Sequence, residues 1–317
     1  MSEYPVELAA PDIEPYRAGN TGIPWITTFA ADAPGPHVAV TALVHGNELC
    51  GPLALDFLFH QGVRPRRGRL SLAFLNIEAY RRFDPANPAA SRWAEEDFNR
   101  IWDTATLEGP RDSLELRRAR EVRPWVDTVD LLLDIHSMQH ATAPLTLAGL
   151  HAKGAALAEA TGVPSVIVAD AGHAAGRRLR DYGDFGRADG EKAAILVECG
   201  QHWARRTADV AIESTVRFLR ATGTVEPDFA ADVVPTTLPP PPTLIDVTTA
   251  VTIRHADFRF TQPFQGMEII ERAGTIIAHD GPDAVRTPYD GCVLIMPTRR
   301  LQPGQTAVRL GRIRATG

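Results

Sequence analysis

Four short polar segments interrupt an otherwise apolar pattern, and each carries side chains able to bind a cation, move a proton or hold an anion. His45 and Glu48, in HGNE, stand three residues apart where the chain leaves the apolar run 38–44. Side chains at that spacing, on a turn entering a helix, project the same way. An imidazole and a carboxylate can then share one metal ion, with Gly46 permitting a sharp turn. Taken alone the pair is unspecific, because a capping glutamate beside a hydrogen-bonded histidine looks the same. A second apolar run, LLLDIHS, ends in His136. If both runs are strands of one sheet, their ends converge at the edge that ligands favour. His45, Glu48 and His136 then form a two-histidine, one-glutamate set with an open fourth position, the composition of catalytic rather than structural zinc sites. Asp134, on the strand face of His136, either orients that histidine or merely ends the strand.

A third apolar run ends in VECG, placing a carboxylate, Glu198, where a polar side chain needs a partner or a function. Zinc lowers the pKa of bound water from about 15.7 to about 7, and a nearby carboxylate can take the remaining proton and return it to a leaving amine. Paired with an arginine, the same residue would be structural. RWAEEDFNR, residues 92–100, is too polar for a core strand and reads as a loop between the first ligand pair and the distal histidine. Arg92 and Arg100 offer planar, permanently charged forks suited to a carboxylate or a developing oxyanion, and Asn99 adds an amide.

These groups need a scaffold that brings strand ends together. HVAVTALV (37–44), RLSLAFLN (69–76), LLLDI (131–135), SVIVA (165–169) and AAILVE (193–198) read as buried strands. LCGPLALDFLF, DSLELRRAREVRPWVDTV, HAKGAALAEATG and RTADVAIESTVRFLRATG read as helices between them, the second capped by Asp112 or Ser113. Strands alternating with helices from about 20 to 222 predict an α/β domain built on a mixed sheet with helices on both faces. PTTLPPPPT, residues 235–243, is too rich in proline for helix or central strand and predicts a stiff connector. Beyond it, LIDVTTAVTI, GMEIIERAGTIIA, YDGCVLIMP and TAVRLG predict short strands, with AGTIIA and PGQTAVRL a faint repeat. The expected division is 1–234 for the α/β domain, 235–243 for the linker and 244–317 for a small all-β, barrel-sandwich-like domain.

The order HGNE, DFNR, DIH, VECG resembles the succinylglutamate desuccinylase and aspartoacylase family, a branch of the zinc carboxypeptidase fold. The resemblance implies one zinc ion per chain held by His45, Glu48 and His136, and Glu198 as the catalytic glutamate. It further implies Arg92 as the group that polarises the scissile carbonyl, and Asn99 and Arg100 as binders of the amino-acid part. The implied reaction is hydrolysis of an N-acyl amino acid to a carboxylate and a free amine. Phe98 stands where the family usually has leucine, and the residues that clamp the acyl group elsewhere in the family are not recognisable in TLAGL or LRDYGDFGR. Tyr289, in TPYDG, is a candidate to reach over the cleft as a tyrosine of that domain does in aspartoacylase. His140 and His202 are further candidates to line the site.

Composition narrows the rival functions. With 317 residues, 44% of them hydrophobic, the chain has material for a large core, and its net charge of −6 selects no partner. Only Lys153 and Lys192 among the 33 basic residues are lysine, so a lysine-rich nucleic-acid tail is excluded. The β module resembles lipoyl and biotinyl carrier domains, but no lysine follows Lys192 to bear a swinging arm. Cys50, Cys199 and Cys292 are widely spaced and odd in number, which argues for core thiols and against a disulfide framework. No run is long enough to span a membrane, and the opening MSEYPVELAAPDIEPY lacks a signal pattern, so a cytoplasmic protein is expected, with homo-oligomerisation left open. Two alternatives stand beside the deacylase expectation. One is a zinc metallocarboxypeptidase acting on short peptides, the other a non-catalytic metal-containing ligand-binding protein.

Overall fold

The computed structural model describes residues 4–172 and 175–315. Its first part runs β1 (Ile26–Ala30), β2 (His37–Ala42), α1 (Cys50–His60), β3 (Arg69–Phe74), α2 (Ile77–Tyr80), α3 (Thr104–Glu108) and α4 (Leu114–Val126). It continues with β4 (Leu131–Met138), β5 (Leu145–Leu147), α5 (Ala152–Thr161), β6 (Val166–Ala169), β7 (Ala193–Gln201) and α6 (Arg205–Ala221). All five strands expected from the apolar runs form. Two strands were not legible: β1, which is half-exposed along an edge, and β5, which is only three residues long.

Strand β2 is buried along its whole length because helices cover both faces of the sheet. Alternate residues go to opposite sides. Val38, Val40 and Ala42 of β2, with Leu133 and Ile135 of β4, pack against Leu55 and Leu58 of α1 and Phe218 and Leu219 of α6. Ala39 and Leu132 face the other way, in a core with Leu116, Val122 and Trp125 of α4. Helix α4 starts at the expected cap, where the Ser113 hydroxyl accepts a hydrogen bond from the Leu116 amide at 3.0 Å.

After α6, residues 235–242 form neither helix nor strand, and β8 (Thr243–Thr252) begins at the end of the proline run. Then follow β9 (Arg259–Phe260), β10 (Ile269–Ile270), β11 (Ile276–Asp280), β12 (Asp283–Arg286), β13 (Cys292–Ile295) and β14 (Thr306–Ile313). Strand β8 pairs in parallel with β6, so one sheet of eleven strands runs β1-β3-β2-β4-β7-β5-β6-β8-β14-β13-β10. A separate sheet of three strands has the order β12-β11-β9. The two segments of the faint repeat thus lie apart, AGTIIA in β11 of the small sheet and PGQTAVRL in β14 of the large one. No helix among the described residues is long and apolar enough to cross a membrane.

Candidate active site

Neighbouring strands β2, β4 and β7 bring the chemistry together. His136 of β4 stands directly opposite Glu198 of β7 in the parallel register, although more than sixty residues of sequence separate them. The pairing then shifts between His136 and Met138, opposite Gly200, whose φ of 117° only glycine adopts readily. At the end of β2, Leu43 takes a left-handed conformation with φ 60°, which turns the chain out of the sheet and into HGNE. Gly46 is required for a different reason from the sharp turn expected of it. A Cβ there would lie 2.4 Å from both the Ala79 carbonyl carbon and the Tyr80 nitrogen, so the absent side chain permits close backbone packing.

His45, Glu48 and His136 are all buried, and one potential ligand atom from each lies within 4.8 Å of the others. Glu48 sits between the rings, with Oε1 2.8 Å from His45 Nδ1 and Oε2 3.0 Å from His136 Nδ1. The outer nitrogen of each ring meets another carboxylate. His45 Nε2 is 2.9 Å from Asp97 Oδ1, and His136 Nε2 is 2.9 Å from Asp134 Oδ2. A carboxylate on the far nitrogen fixes a ligating imidazole's tautomer and orientation. Asp134, whose role the sequence left open, is thereby placed behind His136, and the Thr41 hydroxyl holds it at 2.7 Å.

Burial alone would raise the Glu48 pKa, but His45 and His136 hold it well below the ordinary carboxylate range. Burial opposes protonation of His136, yet Asp134 and Glu48 outweigh it and raise its pKa well above the usual histidine value. This is a strongly anionic pocket around two imidazoles, a donor set that suits a divalent cation such as zinc.

Glu198 contrasts with these groups. Burial pushes its pKa up to about 8 although His136 pulls the other way, and its Oε2 is a buried oxygen without a hydrogen-bond partner. A cavity of about 510 Å³ opens on this carboxyl and on His45, Glu48 and His136, and is also lined by Arg92, Asn99 and Arg100. Seven of the eight expected site residues therefore share one space. Arg92 reaches Asp97 Oδ2 at 3.2 Å and Glu48 Oε1 at 3.6 Å, which holds its guanidinium beside the metal-type cluster. Asn99 accepts from the Leu179 amide through Oδ1 at 2.8 Å, leaving its NH₂ as a donor. Burial lowers the Arg100 pKa to about 10, with Asp97 opposing.

Tyr289 is the residue the structure does not bring in. It does not line the cavity; its hydroxyl pairs with Thr248 Oγ1 at 2.7 Å and Arg312 stacks 4.1 Å over its ring. His140 lines the cavity, whereas His202 bonds Ser137 Oγ at 2.8 Å and is kept neutral by burial, with a pKa near 3.

Sequence reasoning missed two supporting carboxylates. Asp97 lay inside the quoted DFNR motif, and only its contact with His45 reveals its place. Glu115 of α4 is fully buried and accepts from the backbone amides of Ala94 at 2.6 Å, Glu95 at 3.1 Å and Glu96 at 3.2 Å, and from the Asn76 side chain at 3.1 Å. It clamps the loop that carries Arg92 and Asp97. An acidic residue near the start of an amphipathic helix gives no signal of that duty.

The fold and this site define a class. A profile of the succinylglutamate desuccinylase/aspartoacylase catalytic domain matches residues 34–221, more than half of the chain, and the protein belongs to that family, which has a hydrolase fold. Among solved structures, succinylglutamate desuccinylase from Vibrio parahaemolyticus is similar with a TM-score of 0.67 and 16% identity, covering 92% of this chain and 86% of the other. A succinylglutamate desuccinylase/aspartoacylase from Rhodobacter sphaeroides gives 0.64 and 19%, covering 92% and 89%. The ectoine utilization protein EutE (DoeB) of Ruegeria pomeroyi, in a product-bound structure, gives 0.60 and 17%, covering 92% of each. No curated protein matches the chain.

Proposed function

We propose that the protein is a zinc-dependent hydrolase that cleaves the amide bond of an N-acyl amino acid or a related small amide. The observation that carries this reading is Glu198: a buried carboxyl, raised towards neutral pKa and with a free Oε2, beside a buried His-Glu-His group. A structural carboxylate would be hydrogen-bonded or paired. One poised between its charge states near neutral pH suits proton transfer.

Zinc held by His45, Glu48 and His136 would supply a Lewis acid and bring the pKa of water into the physiological range. Asp97 and Asp134 orient the two imidazoles. Glu198 takes a proton from the attacking water at Oε2 and delivers it to the amide nitrogen as the C–N bond breaks, so that amide and water become carboxylate and amine. Arg92 directs its guanidinium at the carbonyl oxygen, where negative charge develops. Arg100 and the Asn99 NH₂ hold the substrate carboxylate.

The test is release of primary amine from N-acetyl, N-succinyl and longer N-acyl amino acids and from dipeptides, with zinc-loaded protein and a chelator control. Chelator-sensitive release from N-acyl amino acids supports the reading. Preference for dipeptides would replace it with a carboxypeptidase, and no release with zinc bound in full would leave a binding protein.

A further inference from the structure

Besides the exposed Arg300, four arginines line the cavity, and their charges are compensated unequally. Arg92 is paired with Glu48 and Asp97. Arg178 is held by both oxygens of Asp170, at 2.7 and 3.1 Å, and by Asp181 at 2.6 Å. Arg100 donates to the Asn99 carbonyl at 2.7 Å and forms no ion pair among the described residues. Arg309, from β14, is the other exception. It is 8% exposed, and its guanidinium makes no hydrogen bond among the described residues. Its one ion pair among the described residues runs through Nε to Asp170 Oδ2 at 3.4 Å, an aspartate already engaged with Arg178. One carboxylate thus serves two buried guanidinium groups.

A guanidinium has five N–H donors, and burying its charge with most of them unengaged is costly. The chain keeps two such groups on one cavity. Arg100 is explained by the substrate carboxylate of the proposed reaction, and nothing in that reaction accounts for Arg309. A planar fork with an unengaged edge fits a second carboxylate, which can accept two parallel N–H bonds.

We propose, on the basis of the deacylase reading, that Arg309 is a specificity-determining residue that binds a second anionic group of the substrate. Strand β14 then does more than extend the sheet. It forms a wall of the active site, with Gln305 and Thr306 on the same wall, and selects substrates by charge. The second carboxylate belongs either to the acyl group or to the amino-acid side chain, and both sources present the same chemistry to Arg309.

Matched substrate pairs differing by one carboxylate test this. N-succinylalanine against N-butyrylalanine probes the acyl source, and N-acetylglutamate against N-acetylglutamine probes the side chain. In one pair the wild type is expected to favour the doubly charged member at least about tenfold in kcat/KM. Arg309→Met should reduce that ratio to below about threefold, and Arg309→Lys, which keeps the charge but loses the fork, should fall between. Equal rates for both members of both pairs in the wild type, or an undiminished ratio in Arg309→Met, would overturn the proposal. If Arg309→Met does not fold, the wild-type ratio and Arg309→Lys decide. If the wild type hydrolyses nothing, the deacylase reading fails separately, and calorimetry of the zinc-loaded protein with the same pairs reads Arg309. An affinity gap that Arg309→Met removes supports the role. No gap, or no binding, refutes it.

Discussion

Replacing Glu198 by glutamine should abolish turnover and at the same time stabilise the metal-free fold, by an amount that depends on pH. In the folded chain the carboxyl holds its proton up to about pH 8, against an ordinary glutamate value of 4.5. The unfolded chain releases that proton near 4.5, so folding above this pH must either rebind it or bury a charge. The group's favourable contribution is complete below 4.5 and is lost as pH rises to about 8. At 1.36 kcal/mol per pH unit the loss is on the order of 3 kcal/mol at pH 7 and about 5 kcal/mol by pH 9. Glutamine has nearly the same shape and no titration. Glu48 and His136 remain in both proteins, so their own pH dependence largely cancels in the difference.

The assay is urea unfolding of chelator-treated wild type and Glu198→Gln at pH 5, 7 and 9. The stability gap in favour of the variant should widen by on the order of 4 kcal/mol from pH 5 to pH 9. For a chain of 317 residues, a gap of ~3 kcal/mol at pH 7 corresponds to a rise of about 5 °C in Tm. In the zinc-loaded proteins kcat should fall by about 10² or more while zinc stoichiometry stays the same. A stability gap that does not change with pH would refute the claim that a desolvated carboxyl is held ready in the fold. Unaltered turnover would remove Glu198 from the mechanism.

Other outcomes follow from the same geometry. Asp97→Asn and Asp134→Asn should each weaken zinc binding by about 10- to 100-fold in competition with a chromophoric chelator, because each carboxylate orients one imidazole; unchanged affinity would deny them that role. Glu115→Gln should lower stability by about 1–3 kcal/mol in denaturant titration and reduce kcat/KM while leaving zinc stoichiometry intact, since four donors converge on that carboxylate and the loop with Arg92 depends on it. Gly46→Ala should reduce the yield of folded, zinc-binding protein, because its Cβ would meet backbone at 2.4 Å that cannot move aside cheaply; a wild-type melting curve would contradict this. Removing zinc should lower Tm, and restoring it to about 100 times its Kd should return about 2.7 kcal/mol of stability.

The residue types and their order in HGNE, DFNR, DIH and VECG were enough to single out seven residues that the fold gathers around one cavity. This was possible because strands announce themselves as apolar runs, and parallel strands of one sheet must end on the same edge. The four longer helices were legible for the same reason of periodicity, down to the Ser113 cap, whereas the one-turn helices α2 and α3 were not. What local pattern could not express was contact between distant segments. Asp97 facing His45, Asp134 behind His136, and Glu115 under the 94–96 amides are defined by who faces whom across strands and loops. Tyr289 shows the converse: a turn tyrosine in a suggestive segment whose hydroxyl goes to Thr248 instead. Most of all, the pairing of β8 with β6 was invisible, since a proline run reads as a break in structure while sheet hydrogen bonds pass between strands regardless of what joins them. That pairing carries β14 to the cavity, and so brings Arg309 into the same space as Glu198. The sequence by itself determined which groups exist and at which strand ends they stand; the tertiary structure decided which charges remain uncompensated, because compensation is a property of distance in space.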